Sequence, residues 1–148
     1  MDDWRALTVT QPHASLLALG QKTIETRSWT TDYRGRVLIH ASKALPREAA
    51  RLAAMPLFRE ALGCSPEALP LGAVVASARI VNVLPTHWIR DLSAREQLFG
   101  DYTAGRFGWY IADVVRLPEP IKWTGRLGLW TVPPELRYQV ERQIGAAA

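Results

Sequence analysis

Five side chains with chemistry to offer fall within residues 21–29, QKTIETRSW: Lys22, Thr23, Glu25, Arg27 and Trp29. A compact amine stabilises a developing oxyanion or moves a proton, a carboxylate accepts one, and a guanidinium fork meets phosphates. Residues 23–29 alternate with period 2, so Thr23, Glu25, Arg27 and Trp29 share one side of a strand and Ile24, Thr26 and Ser28 the other. Lys22 stands just before that strand, where its ammonium either projects into a cavity or rests on the end of the preceding helix. Glu25 either pairs with Arg27 and so orients Lys22, or holds a base or a sugar hydroxyl while Arg27 meets a phosphate. If the chain is an enzyme, Lys22 and Glu25 are its candidate catalytic pair, the carboxylate activating water and the amine steadying the tetrahedral oxygen.

Other groups are placed to join them. Gln11 and His13, in QPHAS, sit at a strand-to-helix junction where side chains and free N–H groups converge on a ligand, or where a helix cap and a packed imidazole form. His40 and Lys43, in HASK, leave a buried strand; His40 reads as a hydrogen-bonded interior histidine and Lys43 as a ligand-binding cation. Trp29, Tyr33 and Arg34 offer stacking and phosphate-directed groups, and Tyr102 lies on a long loop able to cover a pocket. Trp109, Trp123 and Trp130 fall in predicted strands and read as core.

The elements that must position these groups are short. RALTVT alternates as a strand, HASLLALGQ is a helix closed by Gly20, and TIETRSW is the second strand. RVLIHAS, with Val37, Leu38 and Ile39 in a run, reads as a strand buried on both sides. Residues 46–62 are helical with a break near Pro56, and GCSPEALPLG is a loop. AVVASARIVNVLP is the strongest strand; a short helix around Arg95 follows, then a loop ending at Gly105. RFGWYIADVVRL and IKWTGRLGLWTV complete the strands, and Pro133-Pro134 opens a terminal helix fraying into GAAA. Five or six short strands, several broken by glycine, predict an α+β fold around a small curved or closed sheet.

Composition bounds the function classes. The 148 residues, 48% hydrophobic, suit one domain over 1–148. No apolar run approaches the roughly 18–20 residues of a membrane helix, and the acidic start is unlike a secretory signal, so a soluble, cytoplasmic chain with no membrane partner is expected. Cys64 is the lone cysteine and the three histidines are scattered, which excludes a structural zinc site and leaves no metal or cofactor expected. The net charge is +4, and fifteen of the eighteen basic residues are arginine, a bias that fits a nucleic-acid partner or an arginine-rich proteome.

The ordered segments TVTQPHASLLALGQKTIETRSW, YRGRVLIHASK, GRFGWYIADVVRLPEPI and GRLGLWTV resemble the ASCH-domain family, whose G-x-K-x-x-E-x-R signature is met by Gly20, Lys22, Glu25 and Arg27. The resemblance implies a PUA-like β-barrel with helices over its ends. It also implies RNA or DNA binding, ribonuclease activity in one member, and N4-acetylcytidine hydrolysis in certain small ones. Those hydrolases use a lysine, a threonine and a glutamate; Lys22 matches the first, Glu25 stands at the second, and Glu96 and Asp101 are the nearest candidates for the third. The expected partner is therefore RNA or another single-stranded nucleic acid, or a modified nucleoside, with a nucleotide unit held in a barrel-end pocket. The alternative is a metal-independent amidohydrolase on N4-acylated cytidine, or a ribonuclease.

Overall fold

The computed structural model describes residues 3–146. Six strands form one mixed sheet: β1 Arg5–Val9, β2 Ile24–Arg27, β3 Gly35–Ala41, β4 Ala73–Pro85, β5 Phe107–Lys122 and β6 Leu129–Thr131. Five helices accompany them: α1 His13–Ala18, α2 Arg47–Ala54, α3 Pro56–Leu62, α4 Ala94–Leu98 and α5 Pro134–Ile144. The strand order is β2-β5-β4-β3-β1-β6, with β1 and β3 parallel and the other pairs antiparallel. The expected α+β class and strand number hold, but β2 and β6 remain unpaired ends, so the hydrogen-bonded ring of a complete barrel is not closed.

Alternation along the central strands explains their apolar runs. Leu7, Val9, Val37 and Ile39 enter one core with Leu17 of α1 and Trp109. Ala6 and Leu38 point the other way, into a second core with Trp4, Trp130 and Leu136 of α5. A third cluster joins Leu16 to Phe58, Leu62 and Phe99, packing the α2–α3 pair and the end of α4 over one edge. Pro56 begins α3 at the first turn, where a missing N–H costs nothing, which accounts for the predicted break.

Two strand expectations need correction. β5 does not end at Leu117; it resumes pairing at Ile121 and Lys122, after Leu117–Pro120 have bulged opposite the single residue Val75. Pro118 and Pro120, which cannot donate to a ladder, both fall in that excursion. The last predicted strand shrinks accordingly to Leu129–Thr131; Trp123 belongs to no strand and is only partly buried against the second core. The terminal helix starts at Pro134 as expected, and the final Ala147 and Ala148 of the predicted frayed end lie outside the described residues.

Candidate functional site

Helix α1 delivers Lys22. Gly20 adopts φ +72°, and the N–H groups of Gln21 and Lys22 then both fold back onto the Leu16 carbonyl, at 2.9 and 3.1 Å. This reversal turns the Lys22 side chain inward just before β2 begins, leaving the residue 1% exposed. Its ammonium, which can only donate, meets three acceptors: Nδ1 of His13 at 3.0 Å, the Phe99 carbonyl, and Oε1 of Glu25 at 3.2 Å. All three donors are thus engaged.

Strand β2 supplies the next two groups. Glu25 and Arg27 lie two positions apart, opposite Trp109 and Phe107 of β5, so their side chains share a face. Arg27 donates from one guanidinium nitrogen to Oε2 of Glu25 at 3.2 Å and to the Thr8 carbonyl at 3.3 Å. Glu25 therefore lies between two cations. Burial opposes its charge, but Lys22 and then Arg27 outweigh that and hold its carboxyl below the ordinary carboxylate value. Burial and the Lys22 charge lower the pKa of His13 from 6.5 to about 4, so its imidazole is neutral, with the proton on Nε2 because Nδ1 accepts from Lys22.

These four residues line a cavity of about 390 Å³, together with Thr26, Gly100, Asp101 and Arg106 and with apolar walls from Val9, Leu52 and Leu98. The cations nearest its mouth are Arg27 and Arg106, with side chains 23% and 28% exposed. Arg106 also donates to the Thr26 carbonyl at 3.3 Å and approaches Asp101 at 3.5 Å, an arrangement that only its position after the Gly105 turn hinted at in sequence. The arrangement suits binding. Glu25 can take a proton only against its two adjoining cations, and Lys22 can turn toward an oxyanion only by giving up one of its three bonds.

Several candidates from the sequence are placed elsewhere. Gln11 is fully buried and caps α1, its Oε1 accepting from the Ser15 N–H at 2.9 Å and its Nε2 donating to Ser15 Oγ and the Pro70 carbonyl. Lys43 lines a different cavity, because β3 carries it away from β2. Trp29 packs edge-on against Trp109 at 4.7 Å beneath the Arg27 guanidinium, buttressing the site rather than lining it. The Tyr102 ring packs at Gly100, where an added Cβ would come within 2.8 Å, and its buried hydroxyl has no partner among the described residues. Tyr33 and Arg34 line a third cavity, beside Trp4. Of the two distal acids, Asp101 reaches the signature cavity, whereas Glu96 accepts from the N–H groups of Thr23 and Ile24 and from the Thr23 hydroxyl, tying α4 to the start of β2. His40 is the interior, doubly hydrogen-bonded histidine its setting suggested.

Among the described residues no helix is long and apolar enough to cross a membrane, and no three His, Cys, Asp or Glu side chains cluster as metal ligands. The crystal structure of ASCH from Zymomonas mobilis is similar over 93% of both chains, at 14% identity and TM-score 0.60. A single-substitution variant of that protein gives TM-score 0.58 over 95% of this chain and 98% of its own. This likeness bears out the PUA-like α+β class. In sequence, 81 residues, 53% of the chain, are 38% identical to human Activating signal cointegrator 1, of which they cover 14%, so the chain spans a small part of that relative. Residues 7–121, which hold the whole Lys22–Glu25–Arg27 cluster, match the ASCH domain, and the chain belongs to that family.

Proposed function

We propose that the signature cavity binds one nucleotide unit of a single-stranded RNA. The observation that carries this reading is the cluster itself: Lys22 and Arg27 clamp Glu25 at 3.2 Å on either side, within a cavity of about 390 Å³ whose mouth holds two part-exposed arginines. That volume falls in the range of small-ligand pockets. Arg27 and Arg106 receive the phosphate, Glu25 accepts from an exocyclic amine or a sugar hydroxyl, and the His13 Nε2–H donates to a base carbonyl. The pairing costs the site no catalytic geometry, since the ionised carboxylate and the neutral imidazole are already in their binding states. Family membership and the net charge of +4 support the same partner.

The test is titration of the chain with a mixed-sequence single-stranded RNA at several salt concentrations, beside the Arg27→Ala variant, while following any conversion of the RNA or of N4-acetylcytidine. Wild-type affinity is expected to fall as salt rises and Arg27→Ala to weaken it on the order of tenfold. An absence of wild-type binding at low salt overturns the reading, and turnover of either substrate would make the site catalytic instead.

A further inference from the structure

Thr8 joins the signature cluster to a second, larger cavity. Its carbonyl accepts from Arg27, while its side chain lines a space of about 730 Å³ beneath the segment 123–127. The floor of that space is built by a chain of hydrogen bonds. Trp130 Nε1–H donates to Thr8 Oγ1 at 3.2 Å, the Thr8 hydroxyl pairs with His40 Nδ1 at 3.2 Å, and His40 Nε2 meets the Trp123 carbonyl at 2.7 Å. A carbonyl only accepts, so the His40 proton is on Nε2 and Nδ1 accepts from Thr8. Both imidazole nitrogens are thereby committed to holding the segment after β5 against β1 and β3. Gly125 lies directly on this floor, where an added Cβ would stand 2.7 Å from both His40 Cε1 and Thr8 Oγ1.

The rim has a different character. Lys43, Lys122 and Arg126 surround the opening, all exposed, and no acidic residue lines it. None of the three pairs with a carboxylate among the described residues. The chain has only three lysines; one is Lys22, and the other two are both here. The walls between these cations are apolar and aromatic: Trp123, Leu71 at 37% exposure, and Leu127 at 98%. A bare anion would use the cations and leave these walls wet, whereas a nucleotide uses both, its base on the indole and leucines and its phosphate on the rim.

We propose that this cavity is a second subsite for the same single strand, taking a further base against Trp123 and the adjoining phosphate on Lys43, Lys122 and Arg126. The inference rests on the reading of the signature cavity as a nucleotide site, and makes the ligand a strand crossing Thr8 rather than a free nucleoside.

The experiment is fluorescence anisotropy with a labelled mixed-sequence RNA about 12 nucleotides long, across a salt series, on the full chain and three variants, each shown by circular dichroism to be folded at the assay temperature: Lys43→Ala/Lys122→Ala/Arg126→Ala, Trp123→Leu and Arg27→Ala. The triple variant should weaken binding by roughly tenfold or more and flatten the log–log salt slope by about 0.7, the share of one phosphate on a single strand. Trp123→Leu should weaken binding with the slope unchanged. If the triple and Trp123→Leu variants bind like wild type while Arg27→Ala does not, the second subsite is overturned and the signature reading stands. Loss in the triple variant with none in Trp123→Leu would reduce the rim to a general positive field and also overturn it. Absence of RNA binding by the wild type removes both readings together.

Discussion

The Lys22 ammonium donates to Nδ1 of His13 at 3.0 Å, which fixes a neutral imidazole beside a buried cation. The unfolded chain takes up a proton at this histidine near pH 6.5, while the folded chain refuses it until about pH 4. Between those values the unfolded state binds more protons, so stability rises with pH and is lost as pH falls. Urea unfolding from pH 7.5 down to 4.5 should record a loss of about 2–3 kcal/mol, and His13→Gln should flatten that slope. Below the ordinary carboxylate value Glu25 adds a loss of the same sign, because its folded pKa is depressed. A wild-type curve level from pH 7 to 5 would contradict the buried-imidazole account.

Removing Lys22 leaves three acceptors stranded, one of them a buried carboxylate. Lys22→Met should therefore cost about 3–5 kcal/mol in a denaturant titration. Adding Glu25→Gln to that variant removes the uncompensated charge, so the double variant should lose less than the sum of the two single losses. Strict additivity would mean that the 3.2 Å pair does not couple in solution.

Tyr102 carries a buried hydroxyl without a partner among the described residues, and burial followed by the Glu96 carboxylate pushes its pKa up. Tyr102→Phe discards a group that contributes no bond and should leave the melting temperature level or higher, by up to about 1 kcal/mol of stability. A fall of that size instead would reveal a water or ligand bonded to the hydroxyl.

Gly125→Ala forces a methyl group against His40 and Thr8, neither of which is the loose end of a flexible side chain. The expected destabilisation is about 1–3 kcal/mol, as for an overpacked core position. Calorimetry decides it, and an unshifted transition would show that the 123–128 segment can lift off its floor.

Much of this arrangement was legible because it follows from local chemistry. Gly20 marked the reversal that aims Lys22, and period 2 placed Glu25 and Arg27 on one face of a strand. The run at Val37, Leu38 and Ile39 announced a strand between two cores. What stayed hidden was set by distant partners. The Phe99 carbonyl that holds Lys22 is a backbone atom and leaves no mark in residue type. Gln11 looked like a ligand group and is consumed by helix capping, a use of the same amide that only burial distinguishes. Lys43 reads as a ligand-binding cation, yet the parallel β1–β3 pairing sends it, together with His40, to a cavity other than the signature one. The strand expected over RFGWYIADVVRL in fact resumes pairing after a four-residue excursion that holds Pro118 and Pro120.

Strand β1 pairs with β3 on one side and, through Arg5, Ala6 and Leu7, with β6 at residues 129–131 on the other. A nascent chain leaving the ribosome thus exposes one flank of β1 until residues 129–131 have been translated. The Lys22 cluster can assemble once Phe99 and Arg106 emerge, but the floor that depends on Trp130 waits longer. Of the two cavities, the signature one matures first.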